Sequence, residues 1–563
     1  MPYRSPVTDI RFILDHVVLL APIAATDRFG ESTGDLAEAI LTEAAKLCDT
    51  ALAPVQRAGD LTPARLENGV VRTSPGYAEA YAAIRDGGWV SVSAPAEHGG
   101  MDLPQTLNMA IHDMMSGACL SLQLLPLMTQ GQIEALDHHA SDALKALYLP
   151  KLVSGEWAGT MNLTEAQAGS DVGALRTRAE PNGDGTYAIT GQKIFISWGD
   201  NDFTGNVCHL VLARLPGAVA GTKGISLFLV PKFLPDADGQ PGAANAVKVV
   251  SLEHKMGLHG SPTCVMAYEG ATGWLVGQEH RGMAAMFTMM NNARLGVAMQ
   301  GIGVAEAACQ AATEYAAERQ QFGPIIGHAD VRRMLGEMRA DTFAARSIAL
   351  ACAQAIDMGT ATGEADWAAR AAFLTPIAKA FGTATGIRVA ETAMQVHGGM
   401  GFIEETGVAQ FYRDVRVTAI YEGTNGIQAM DLVGRKLADG GEAAFRLLEE
   451  IEAGAEAARG DQPDLAGAVW AAAETLREAT EWMVGREGAD RNAGATAYLE
   501  AFARVLGAHY HLKAAMAEGG TGPRAALARF YIGRRLPLYA AHLAAARDGA
   551  EAVLALTPEA LSS

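Results

Sequence analysis

The spacing of apolar residues changes period twice along this chain of 563 residues, and each change marks a different kind of element. Up to about residue 159 the steps are helical, as in 36–53 and 78–88, with turn-rich pieces such as AEHGGMD between them. From Thr160 to about Val276 short runs rich in β-branched and aromatic residues take over (TYAITGQKIFISW, VCHLVLARL, ISLFLVPKF), broken at EPNGDG and DADGQPGAAN. After Arg281 the helical step returns. Leu295, Ala298, Ile302, Ala305, Cys309, Ala312 and Ala316 mark one helix face, and Val331, Leu335, Met338, Ala345 and Ala349 a second. A third helix over 367–396 contains Pro376, which should bend it or end a turn. Past the glycines at 440 and 441, three Ala-rich segments (466–486, 497–518, 523–554) read as helices. The expected fold is mainly α with a middle β domain. It divides into an N-terminal helical domain (1–159), the β domain (160–280), a helix bundle (281–438) and a C-terminal helical extension (439–563). A chain this long exceeds the size of one hydrophobic core.

Composition removes several classes of function. With 49% hydrophobic and 19% charged residues the chain is a folded protein. A net charge of −19 opposes a phosphate backbone, so no nucleic-acid partner is expected. Six cysteines without CxxC spacing suggest neither a disulfide framework nor a zinc site, and no metal is expected; a reducing cytoplasm fits. The apolar run over 17–25 is too short to span a bilayer, and MPYRSP lacks the features of a secretory signal, so no membrane association is expected. GIGVAEA at Gly301 lies within a helical pattern and lacks the third glycine of a dinucleotide fingerprint, so it reads as helix packing. HExxH, GxSxG and P-loop sequences are absent.

Five segments could carry chemistry. In TAIYEGTNGIQAM, Glu422 sits between apolar residues and a Gly423–Gly426 turn that opens a helix. Burial there would raise its pKa and suit a base near neutral pH, although a helix-capping role fits equally. In MNLTEAQAGSDVGAL, Thr164, Ser170 and the glycine backbone offer donors, and Asp171 could cap the turn that follows; AGSD is also a common turn. GQKIFISWGD puts Phe195 and Ser197 on one strand face, to wall and hydrogen-bond a planar ring or simply to join a core. EYAAERQQFGP ends a helix with Arg319, which could complement the helix terminus or clamp a pyrophosphate. MQVHGGMGF places glycines at 398, 399 and 401 after Gln395 and His397, a backbone able to admit a nucleotide.

In this order and at these spacings the five segments resemble the acyl-CoA dehydrogenase family. YLPKLVSGEWAGTMNLTEAQAGSDVGALRT, NNARLG, MQVHGGMGFIEETG and AIYEGTNGIQAMDL are especially similar to its longer bacterial members with an extra C-terminal helical domain. The core of the resemblance runs from about 37 to 437. It implies FAD as cofactor, an acyl-CoA thioester as substrate, an electron-transfer flavoprotein as acceptor and a homodimer. Met161, Leu163, Thr164, Gly169 and Ser170, with Phe195, Ile196 and Ser197, would surround the flavin. Arg319, Phe322, Gln395, Gly398 and Gly399 would receive the pyrophosphate and adenine of a neighbour's FAD, a site that Thr424 and Gly426 complete. Ser170, Arg294 and Gly423 would lie along the substrate, and Glu422 would be the catalytic base.

The implied reaction is removal of an α-proton by Glu422 as a hydride leaves the β-carbon for flavin N5, giving a trans-2-enoyl-CoA. Hydrogen bonds from the Glu422 amide and a flavin hydroxyl would stabilise the developing enolate. The long subgroup implies 3-methylmercaptopropionyl-CoA, and with it dimethylsulfoniopropionate degradation; a straight short- or medium-chain acyl-CoA of fatty-acid oxidation is the rival substrate. The same motifs are compatible with an acyl-CoA oxidase, and with a DNA-binding branch of the superfamily that the net charge of −19 disfavours. The sequence departs from the commoner pattern at Met161, Phe195, Gly426 and His397, where flavin contacts would be looser or, at His397, a structural histidine is expected.

Overall fold

The computed structural model describes residues 3–563. Helices α1 (Val7–Phe12) and α2 (Ala21–Ala24) precede α3 (Gly34–Leu47), which Thr33 caps by accepting from the Leu36 amide. A π-helical turn at Cys48–Leu52 joins α3 to α4 (Ala53–Leu61). Between α4 and α5 (Tyr77–Asp86) lies an antiparallel hairpin, β1 (Arg65–Glu67) and β2 (Val70–Arg72), in a stretch expected to be helical throughout. Asn68 and Gly69, both at positive φ, make the tight turn such a hairpin requires. Helices α6 (Gln105–His139) and α7 (Asp142–Val153) complete this region. α6 is buried around almost its whole circumference and leaves helical geometry at Cys119 (φ −157°, ψ 89°).

The middle region contains β3 (Trp157–Asn162), β4 (Arg178–Pro181), β5 (Tyr187–Ser197), β6 (Asn206–Arg214), β7 (Ile225–Pro231), β8 (Phe233–Pro235), β9 (Pro241–Ala244), β10 (Val247–Leu252) and β11 (Thr263–Val276). Seven of these form one sheet, ordered β10-β11-β5-β4-β6-β3 with β7 between β11 and β6; β8 and β9 pair separately. β6 and β7 are buried on both faces, which is why their sequences read as unbroken apolar runs. The segment DADGQPGAAN, expected as a turn, supplies part of the β8–β9 hairpin.

Helices α8 (Gly282–Glu318), α9 (Ala329–Thr362) and α10 (Ala365–His397) pack together with α6, followed by α11 (Val408–Val415) and α12 (Asn425–Arg435). α10 passes through Pro376 without ending. A β-carbon on Gly301 would stand 2.4 Å from the Gly382 carbonyl oxygen, and one on Gly386 2.6 Å from that of Gly301. Here α8 and α10 touch backbone to backbone, so the glycines of GIGVAEA serve helix packing.

The C-terminal extension holds α13 (Glu442–Ala458), α14 (Pro463–Val484), α15 (Gly488–Ala517), α16 (Pro523–Arg534), α17 (Leu538–Arg547), α18 (Glu551–Leu554) and α19 (Pro558–Ser562). The stretch 523–554, expected as one helix, is divided where Pro537 and the left-handed Gly549 fall. The extension docks on the bundle through buried Asp341 of α9, which accepts from Arg504 at 2.6 Å and Arg535 at 2.7 Å. Burial alone would raise this carboxyl, yet the arginines hold it down at about 2. Among the described residues no helix is long and apolar enough to cross a membrane.

Candidate active site

Glu422 occupies a turn between α11 and α12 in a conformation rare for a residue with a side chain. Its φ is +54°, and Gly423 follows at +82°. The cap of α12 is Thr424, whose hydroxyl accepts from the Ile427 amide at 3.2 Å, so the helix terminus needs nothing from Glu422. Burial pushes the Glu422 carboxyl up to about 7, against the opposing pull of Arg294 and Lys379. Lys379, in α10, is itself pushed down by burial while Glu422 pulls it up. Its ammonium donates to the Gly423 carbonyl at 2.8 Å and the Asn425 side-chain oxygen at 3.1 Å. Lys379 carried no motif in the sequence; a single lysine among Leu374, Ile377, Ala378 and Phe381 was its only signal.

The loop after β3 and the end of β5 are bound together by Lys193, fully buried, which donates to the Leu163 carbonyl at 3.0 Å and Glu165 at 2.9 Å. The Ile194 amide donates to the Thr164 carbonyl at 2.9 Å. This brings the end of β3 and the residues after it, Met161, Leu163 and Thr164, to the end of β5, where Phe195, Ile196 and Ser197 stand, with Gly169 and Ser170 beyond the Glu165–Ala168 turn. A bulge against β11, with register shifting between Cys264 and Met266, accompanies the positive φ of Phe195 (+60°) and leaves that ring 59% exposed. Ile196 points the other way into the sheet core, and Leu163 is buried as well, so these two offer a ligand mainly backbone. Gly169 and Ser170 are exposed. Asp171 makes no side-chain cap to the 3-10 turn Val172–Ala174, contrary to expectation; its carbonyl accepts the Ala174 amide instead.

Both groups are anchored to α6 just beyond its break. Trp198, next to Ser197, donates its indole N–H to the Ser121 carbonyl at 3.0 Å. Two residues along, Gln123 accepts from Gln300 at 2.8 Å, and Gln300 in turn accepts from the hydroxyl of Tyr421, the neighbour of Glu422. A cavity of about 390 Å³ opens between α6, α8, α9, α10 and α12, lined by Gln105, Met109, Glu134, Asn292, Arg294 and Asp431 among others. Arg294 is 5% exposed and donates to Asp431 at 3.3 Å. Ser170, Glu422 and Gly423 are not among the residues lining this cavity.

The remaining candidates stand elsewhere. Arg319 and Phe322 follow the end of α8, and Gln395, Gly398 and Gly399 lie at the end of α10. His397 joins these two ends: its ring stacks on Tyr315 at 4.2 Å, and its Nδ1 lies 2.7 Å from the Ala393 carbonyl. That accounts for the histidine structurally. At 1.5 Å per residue Gln395 is roughly 24 Å along α10 from Lys379 and the Glu422 turn. Phe322 is wholly exposed, and β-carbons on Gly398 or Gly399 would meet nothing within 4 Å. Gly401 differs, since a β-carbon there would stand 2.0 Å from the Met394 carbonyl oxygen. Thr424 and Gly426 belong with Glu422 and not with this distant cluster.

Four family models match successive parts of the chain: acyl-CoA dehydrogenase N-terminal domain over 35–156, middle domain over 160–271 and C-terminal domain over 280–437, then acetyl-CoA dehydrogenase C-terminal like over 447–557. The 3-methylmercaptopropionyl-CoA dehydrogenase of Ruegeria pomeroyi is 48% identical over 80% of this chain and 79% of its own length. The chain belongs to the acyl-CoA dehydrogenase family. It is an oxidoreductase of that family, and its fold is the family's, with a helical, a β and a second helical region before the extension. The structure of Caenorhabditis elegans ACDH-11 in complex with C11-CoA superposes with a TM-score of 0.81 at 20% identity, covering 95% of this chain and 92% of that one. A Bacillus anthracis acyl-CoA dehydrogenase complexed with FAD gives a TM-score of 0.75 at 21% identity, over 97% and 92% of the two chains.

Proposed function

We propose that this acyl-CoA dehydrogenase family member performs FAD-dependent α,β-dehydrogenation of an acyl-CoA thioester to the trans-2-enoyl-CoA, with Glu422 as the base. The observation that carries this reading is Glu422 itself. It is a carboxyl freed from capping duty, raised to about 7, and held beside two cations and a hydrogen-bonded route to the β domain. A carboxylate with that basicity, in a site from which a bound acyl chain expels water, removes the α-proton onto its own oxygen. The Glu422 backbone amide is the proposed donor to the thioester carbonyl, and Arg294, which lines the cavity, is the proposed contact for the CoA portion.

The chain's own groups fit a flavin. Phe195 presents an exposed ring, Ser197 and Thr164 offer hydroxyls beside it, and exposed Gly169 would meet nothing within 4 Å of a β-carbon. Met161, Leu163, Ser170 and Ile196 complete this surround. When bound, FAD supplies the acceptor for the hydride that leaves the β-carbon. Arg319, Phe322, Gln395, Gly398 and Gly399 stand well away from the Glu422 turn, and we assign them to the pyrophosphate and adenine of a neighbouring subunit's FAD in a homodimer, as the family resemblance implies.

The preferred substrate is 3-methylmercaptopropionyl-CoA, supported by the 48% identical relative, with a short- or medium-chain acyl-CoA as the second reading. An electron-transfer flavoprotein is the proposed acceptor in the cytoplasm, a compartment in keeping with six free, buried cysteines. Anaerobic bleaching of the flavin by a panel of acyl-CoAs identifies the substrate, and peroxide formation distinguishes an oxidase. Glu422→Gln should keep FAD and lose about 1,000-fold in kcat; undiminished turnover would show that Glu422 is not the base.

A further inference from the structure

Lys379 sits in the middle of α10 with no exposed surface, although an ammonium is among the costliest groups to take out of water. Its hydrogen bonds leave its own helix for the Glu422 turn, reaching the Gly423 carbonyl at 2.8 Å and the Asn425 side-chain oxygen at 3.1 Å. Thr383, one turn along α10, donates to the Lys379 carbonyl at 2.8 Å and lies 3.1 Å from the same Asn425 oxygen, and Asn425 donates back to the Ala380 carbonyl at 3.2 Å. From the other side Gln428 donates to the Glu422 carbonyl at 3.1 Å. All of these contacts fix the peptides of a residue at φ +54° and its left-handed neighbour. For a residue bearing a β-carbon that conformation is unfavourable, and it persists where surroundings over-determine it.

The charged groups around Glu422 come from three helices. Lys379 approaches from α10 and Arg294 from α8, while Asp431 of α12 accepts from both Arg294 and Arg435. The phenol of Tyr421 is the adjacent titratable group. Lys379 and Arg294 are the two cations that act on the carboxylate directly, both favouring its ionised form.

We propose that Lys379 is a positioning residue for the dehydrogenation. It ties α10 to the peptide that follows Glu422, keeps that residue left-handed with its carboxyl and amide toward the acyl-CoA, and supplies positive charge that favours the ionised base. The role rests on Glu422 being the base.

The test compares holoenzyme variants for FAD content, kcat, KM and the pH dependence of kcat/KM. Lys379→Met should retain FAD and lose about 100-fold in kcat, the size of effect produced by a misplacement of about 1 Å, with KM little changed. Removing the cation also raises the pKa of Glu422, so the acid limb should move to higher pH. A purely structural lysine would lower activity at every pH and leave the limb in place. Lys379→Arg, which holds the charge at every pH whereas burial brings the lysine itself down to about 7, should not move the limb to higher pH, and Asn425→Ala should lower kcat without moving it. If the methionine variant does not fold, Lys379→Gln is the neutral variant, and if neither folds the arginine and Asn425→Ala arms decide. An unmoved limb in a neutral variant, a limb moved to higher pH in Lys379→Arg, or wild-type kcat in Lys379→Met or Asn425→Ala overturns the proposal. Glu422→Gln separates the two readings: full activity there removes the base itself, whereas an inactive Glu422→Gln beside a fully active Lys379→Met removes only the positioning role.

Discussion

Two opposing influences set the chemistry of Glu422: burial that disfavours its charge and the cations Arg294 and Lys379 that favour it, with burial prevailing. A base works only when deprotonated, so kcat/KM should rise about tenfold per unit as pH approaches 7 from below and level off above it. A profile flat from pH 5 to pH 8 would be incompatible with a carboxyl poised at about 7. The sequence exposed the acid, its apolar flank and its glycines, but could not separate base from cap. That question turns on whether Thr424 or Glu422 reaches the first amides of α12, and the structure answers with the Thr424 hydroxyl. Lys379 and Gln428 escaped notice for a related reason. Their partners are carbonyl oxygens, which every residue has, so no spacing advertises them.

At the level of elements, the loop after β3 and the bulged end of β5 depend on one buried pair. Burial raises the Glu165 carboxyl, but Lys193 and Thr177 outweigh it and hold it at about 2. The contribution of the Glu165 carboxylate is therefore present above about pH 4.5 and fades as pH falls toward 2. Lys193→Met should cost about 3 kcal/mol of stability near neutral pH, because it leaves a buried carboxylate alone, and should weaken FAD retention. Thermal melts should show the deficit narrowing in acid as Glu165 protonates; a deficit independent of pH would mean that lost packing, not the uncompensated charge, causes it. Strand alternation made Phe195 and Ser197 legible as one face, since a period of two survives in the sequence. The bulge that turns Phe195 outward was not, because it arises from register against β11, more than sixty residues away. The helix expected over 367–396 does run through Pro376. Packing of α10 against α8 and α9 carries the helix through a residue that local rules treat as an interruption.

Over the whole molecule, the changes of period located the helical and β regions well, because burial of one face or of two is written in residue order. The C-terminal extension was less legible. α13 lies outside the three Ala-rich segments that read as helices, and the attachment of the extension through Asp341, Arg504 and Arg535 joins residues with no sequence proximity. The largest consequence of scale lies in α10, which carries Lys379 beside the base and Gln395 roughly 24 Å away. If each end serves a different subunit's flavin, two lesions that each silence the enzyme are complementary. Co-expressed Glu422→Gln and Arg319→Ala chains should form mixed dimers in which one site is whole, recovering about a quarter of wild-type turnover from random pairing. A strain carrying both alleles would then grow where neither parent can, so that the length of one helix becomes visible as a genetic phenotype.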